Sequence, residues 1–343
     1  MSRSSVTAFF LLAVASVPAV NTAHAQPKPP SAVPMQEWTV PWEKSRPRDP
    51  AVAPDGKVFF VGQVGNYIAR LDPTTGDFKR YELDPGTLPH NCVVDARGMV
   101  WFSGNANGMI GRLDPATGAI TKFPMPDPAV KDPHTLVFDK KGDIWFTAQN
   151  SNYIGHLAVG TGKIRLLKMP TAGAKPYGIA LDSRGRPWFN LFGTSTLASV
   201  DPQTMEMKTY KLADERTRDR RIAITSDDKI WYADYSRGFL GKLDPVTSKV
   251  EEWQLPGGGM SLPYGMTVDD KDRLWVAETG VQPNRLVGFD PKTSSFFSMT
   301  NIASGGGVVR YMIFDKKSKL LWFGTDANTI GKAEVNGTVK VAM

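Results

Sequence analysis

An aromatic pair that follows a Gly- or Asp-containing turn recurs seven times along the chain. It stands at Phe59-Phe60, Trp101-Phe102, Trp145-Phe146, Trp188-Phe189, Trp231-Tyr232, Trp275-Val276 and Trp322-Phe323, at intervals of 42, 44, 43, 43, 44 and 47 residues. A period of roughly 40–50 residues marks supersecondary units that bury their faces only against copies of themselves. Asp-Pro follows each aromatic by about thirteen residues, at Asp72, Asp114, Asp201, Asp244 and Asp290. The third unit has Ala158-Val159 there and the seventh Glu334-Val335. Each unit divides into four short alternating runs, in the fourth unit 177–182, 187–192, 196–201 and 206–212, separated by turn-forming clusters. No stretch keeps a helical period. The pattern predicts an all-β fold: a seven-bladed β-propeller of four-stranded antiparallel blades around a central channel, one domain over residues 36–343. The aromatic pairs are read as packing between blades. Closure has two solutions: residues 36–40 (QEWTV) resemble the outer run 251–255 (EEWQL), and 338–343 offers the other. The N-terminal segment is the expected one.

Residues 1–25 read as a secretory signal. Arg3 gives the positive start, an apolar stretch runs from Val6 to Val20, and Ala23-His24-Ala25 is a small-x-small cleavage site. The apolar run is short and broken by Pro18, which argues against a retained membrane anchor. The expectation is a periplasmic or secreted protein, cleaved near Ala25, with no membrane span. Residues 26–35 are Pro-rich and read as a stiff, solvated leader. A single cysteine, Cys92, excludes a disulfide framework or a cysteine metal cluster. The net charge is +7, and loss of Arg3 with the signal leaves +6. That balance suits an anionic partner; no nucleic-acid motif accompanies it.

The repeat register exposes a ring. Eleven positions before each aromatic lie Arg48, His90, His134, Tyr177, Arg220 and Tyr264, with Arg310 seventh after one inserted residue. Pro precedes five of them and fixes the entry angle of the strand. Structural positions repeat one residue type; this one varies among large hydrogen-bonding side chains. One reading has such groups satisfy each other and ordered water around a wet channel; the other, that clustered polar groups in a concave site point to a ligand, is the expected one. Three arginines near one axis favour a carboxylate or other anion. Asp132, Asp234, Glu278 and Asp326 are the acidic neighbours with the reach to hold a metal. Arg216, Arg218 and Arg221, interleaved with Asp214, Glu215 and Asp219, read mostly as a solvated loop.

Three segments carry a family likeness: Pro176-Tyr177-Gly178-Ile179, Gly142-Asp143-Ile144-Trp145-Phe146 and Ile110-Gly111-Arg112-Leu113. The pattern, over roughly residues 36–335, resembles the streptogramin B lyases, also called virginiamycin B lyases. The resemblance implies a magnesium-assisted elimination. A ring histidine removes the proton α to a carbonyl, and the ester C–O bond of a cyclic depsipeptide breaks. In that family the base lies in a last-blade Glu-Pro-His-Gly entrance. Here the base position holds Arg310, and the metal-ligand positions hold Val308 and Thr325. Asp326 replaces Thr325 only if the strand shifts by one residue. The family's other histidine position holds Tyr264. Arginine is no general base near neutral pH.

One alternative keeps the chemistry and rotates it around the ring. His134 is then the base, Asp132 a metal ligand and His90 a substrate contact, with Ala148 and Gln149 where the last ligand belongs. Two readings follow. The first is a metal-assisted C–O lyase acting on an ester-containing or anionic small molecule, with Mg2+ held by Asp132 and Asp326. The second is a propeller that binds an anionic ligand or a partner protein through Arg48, His90, Tyr177, Arg220, Tyr264 and Arg310. A calcium lactonase needs convergent acidic or amide ligands, and the ring is too basic for one.

Overall fold

The computed structural model describes residues 31–336. The signal segment, the start of the leader and residues 338–343 lie outside the described residues. Seven four-stranded antiparallel sheets surround a channel, with one short 3-10 turn at Gly258–Met260. Blades one to six each take four consecutive strands, over residues 47–82, 89–124, 133–168, 176–211, 219–254 and 263–301. Blade seven combines Met312–Asp315, Leu320–Gly324 and Thr329–Ala333 with Met35–Thr39 as its outer strand. The closing register pairs Gln36 with Lys332 and Trp38 with Ile330, and Trp38 stacks on Trp322 at 5.8 Å. The N-terminal strand therefore closes the ring, as its likeness to 251–255 predicts. No described helix is long and apolar enough to cross a membrane.

The repeated aromatics make the core. Trp101, Trp145, Trp188, Trp231 and Trp275 are almost fully buried where blade packs on blade. Three indoles donate to the aspartate six residues earlier: Trp101 to Asp95, Trp188 to Asp182 and Trp275 to Asp269. The Ile-Gly-Arg-Leu motif has a steric cause. A Cβ on Gly111 would lie 2.1 Å from the Phe102 ring, and Gly155 and Gly331 stand in the same relation to Phe146 and Phe323. Only a hydrogen fits between the second and third strands there.

One expectation is corrected. The end of the leader is docked, not solvated. Ser31 bridges Ser298 in parallel, Met299 N–H donates to Ser31 O at 3.0 Å, and Val33 is buried against blades six and seven. Apolar burial of Val33 and two backbone bonds outweigh the solvation of a Pro-rich stretch.

Candidate functional site

Six of the seven innermost strands carry a register shift at the same place. It falls between Arg48 and Ala51, and after Pro89, Pro133, Pro176, Asp219 and Pro263. A β-bulge of this kind frees consecutive residues from the ladder and re-aims their side chains. In five blades the freed residues are the ring position and its successor; in blade one Arg48 stays paired with Val61, and Asp49 and Pro50 are freed. Their backbone needs other partners, and the second strand supplies them. Ser103 Oγ accepts Asn91 N–H and donates to His134 O. Thr147 Oγ1 accepts Thr135 N–H and donates to Tyr177 O. Asn190 accepts Gly178 N–H through Oδ1 and donates to Asp219 O. One side chain thus holds the bulge of its own blade to the innermost strand of the next, at or beside its ring residue.

The ring residues converge. His90 and His134 pack with ring centroids 3.6 Å apart, and His134 and Tyr177 at 4.2 Å. The Tyr177 and Tyr264 hydroxyls are hydrogen-bonded across the channel. Arg220 lies over the Tyr264, Tyr235 and Phe192 rings at 4.7, 4.3 and 4.4 Å, and its Nη1 donates to Tyr264 Oη. Arg310 lies 5.6 Å over Tyr264 and pairs with Asp326. Arg48 donates to Asp49 at 2.9 Å and to Gln63 at 3.1 Å. Among the described residues Arg220 has no acidic partner, and its Nε, His134 Nε2 and His90 Nδ1 are buried without a hydrogen bond.

A second layer lies one residue deeper: Asp49, Asn91, Thr135, Arg221 and Tyr311. Here the solvated-loop reading of Arg221 fails. Arg221 is 2% exposed and reaches across the channel, donating to Thr135 Oγ1 at 2.8 Å and to Arg310 O at 3.0 Å. Its Nη2 lies 3.6 Å from Asp49 Oδ2, which also accepts from Asn91. Arg221 sits in a charge-rich run and looks solvated in sequence; the bulge turns it inward. The signal was available one position along the ring register, where five of seven residues are polar.

The electrostatics follow from this surplus of guanidiniums. Burial, reinforced by Arg221, Arg48 and Arg220, holds His134 well below the usual imidazole range. Burial and Arg48 do the same to His90. Both rings are neutral at neutral pH. Burial alone would raise Tyr264, but Arg48, Arg220 and Arg221 overcome it and bring the phenol down to about 8. Burial and the neighbouring Tyr264 push Tyr177 up to about 12.

The acidic residues proposed for a metal are all engaged elsewhere. Asp132 accepts from Asn150 N–H, Ser151 N–H and Ser151 Oγ, which fold the next loop onto it. Asp326 pairs with Arg310 and lies 3.8 Å from Arg46. Asp234 binds Ser236 and Arg237, and Glu278 binds Ser261 and Arg285. Val308 offers no side-chain donor, and Thr325 is buried in a bond with Thr329. Hard divalent cations need several convergent oxygens, and this donor set does not fit Mg2+. The Asp132 and Asp326 oxygens serve backbone amides, Ser151 and arginine instead.

Comparison with known proteins agrees with the fold. Residues 30–191 match the model of the virginiamycin B lyase family. The propeller fold is virginiamycin B lyase-like. Virginiamycin B lyase from Staphylococcus aureus superposes with a TM-score of 0.79 at 24% identity, over 88% of this chain and 98% of that one. A catalytically inactive histidine-to-alanine variant of that lyase, with quinupristin, gives 0.78 at 24% identity over the same shares. The extracellular domain of a one component system from B. thetaiotaomicron gives 0.68 at 18% identity, over 90% of this chain and 43% of that one. At these identities the likeness to the solved structures is one of fold. No curated protein matches the sequence.

Proposed function

We propose that this lyase-like propeller binds an anionic or ester-containing small molecule at the ring and breaks a C–O bond in it by elimination. One observation carries the reading: a neutral imidazole with an unbonded Nε2 sits among guanidiniums that outnumber their carboxylates. With Nδ1–H donated to Thr135 Oγ1, His134 Nε2 keeps a free lone pair for the proton α to a carbonyl. Arg220, lacking a carboxylate partner, takes the substrate oxygen on which charge grows. The C–H electron pair forms the new double bond, the C–O bond breaks, and a ring tyrosine hydroxyl protonates the leaving oxygen. Arg48, His90 and Arg310 shape and hold the substrate. In this arrangement guanidiniums supply the charge that a magnesium ion would.

The test is mass spectrometry on mature protein incubated with a type B streptogramin, with and without EDTA. A linear product of unchanged mass, retained in EDTA and lost in His134→Ala, is the expected result. A product heavier by one water means hydrolysis and overturns the elimination. The second reading is non-catalytic capture of the anion; it is favoured by the 2% exposure of His134 beneath the tyrosine pair. Salt-sensitive binding without turnover, weakened by Arg220→Ala, would select it.

A further inference from the structure

Beneath the ring, on the far side of Arg221, the channel holds a cavity of about 310 Å3. It runs to the mouth opposite the ring, where the inner strands end at Leu181, Ile224 and Val268. Leu181, Ile224, Val268 and Phe314 line the wall, and each is only partly buried. Arg221 and Tyr311 form the closed end. A cavity with aliphatic side chains along its wall and a cation at its end is the form of a site for an amphipathic anion.

The charge at the closed end supports that reading. Arg48 and Arg221 share one carboxylate, Asp49, and Arg221 Nη2 makes no hydrogen bond with any described residue. Its Nε and Nη1 are fixed by Arg310 O and Thr135, and Nη2 faces Asp49 at 3.6 Å, so the guanidinium is held in place. Two buried guanidiniums on one carboxylate leave a net positive charge at the closed end, and a second carboxylate would meet it with charge-assisted bonds. Water can fill such a cavity, but it gains nothing from the aliphatic wall.

We infer that this cavity is a second ligand site, distinct from the ring, for an aliphatic monocarboxylate whose head meets Arg221 and Tyr311 and whose chain lies along Leu181, Ile224 and Val268. It does not depend on any reaction at the ring.

Calorimetric titration of the folded protein with butanoate, hexanoate and octanoate tests it. The expected result is one site per chain, with affinity rising about fourfold per methylene. Octan-1-ol, which lacks the charge, is expected to bind at least tenfold more weakly. Thr267→Phe fills the cavity from its wall, at a position where blade seven carries the larger Ile313. It is expected to weaken octanoate at least tenfold while the thermal melt stays in place. Ile224→Phe at the mouth serves the same purpose if Thr267→Phe does not fold. No binding to the wild type at millimolar octanoate overturns the site, as does equal binding of the alcohol. Undiminished binding to a folded, filled variant does so too, because it would place the carboxylate at the ring.

Discussion

The hydroxyls of Tyr177 and Tyr264, 87 residues apart in sequence, meet in a hydrogen bond that spans the channel from blade four to blade six. The bond is asymmetric in its electrostatics. Tyr264 faces Arg48, Arg220 and Arg221 after the cost of burial, and titrates near 8; burial holds Tyr177 near 12. Ultraviolet titration of the phenols should therefore show one tyrosine ionising near pH 8 and none there in Tyr264→Phe. The folded protein loses this proton about two units before the unfolded chain does, so stability should rise with pH between 8 and 10. Urea midpoints that are flat across that window in the wild type would contradict the assignment.

The two ring histidines act in the opposite range. His90 and His134 are held neutral in the folded protein, while the unfolded chain takes up protons below its ordinary imidazole value of 6.5. Stability from these groups is present above that value and is lost as pH falls below it. His134→Gln with His90→Gln should flatten the acid limb of a pH–stability curve between pH 6.5 and 5. An unchanged limb would mean that the rings are already charged or already solvated.

The ring is legible in the sequence because seven repeats act as their own alignment. A position that varies in residue type against a tryptophan kept in six of seven repeats stands out without homologues. The deeper layer is harder to read, because a regular strand would send Arg221 and Asp49 away from their neighbours Arg220 and Arg48. The bulge cancels that alternation, and nothing in a single blade announces it. The acidic residues mislead for a different reason. Asp132 stands two residues from His134, but its carboxylate folds back onto Asn150 and Ser151. Proximity in sequence says nothing of which partner a short side chain takes.

Arg221 ties four blades together, and its removal should be felt as loss of stability. Arg221→Met leaves Arg310 O without its donor, Thr135 Oγ1 with His134 alone, and Asp49 with Arg48 as its one cation. Removing one member of a buried ionic network typically costs about 3–5 kcal/mol. The check is guanidinium denaturation of the variant beside the wild type. A loss under about 1 kcal/mol would mean that water replaces the guanidinium at little cost.

Blade five breaks the entrance pattern. Asp219 stands where five other blades have Pro47, Pro89, Pro133, Pro176 and Pro263, and it pairs with Asp234 in the register those prolines share. Its carboxyl is fully buried, both oxygens lack hydrogen-bond partners outside the residue itself, and burial holds it well above the usual carboxylate range. The folded protein keeps this proton where the unfolded chain has released it. Its contribution is therefore favourable at acid pH and is lost as pH rises above 3.8 toward the folded value. Asp219→Pro removes the orphaned carboxyl and restores the fixed entry angle of the sister strands. It should stabilise the protein at pH 7 by roughly 1–2 kcal/mol, with little gain at pH 4. Denaturation at both pH values decides the matter. An equal gain at the two would assign the effect to the backbone alone, and a loss at both would show that the Asp219 N–H or its carboxyl has a structural partner that proline cannot replace.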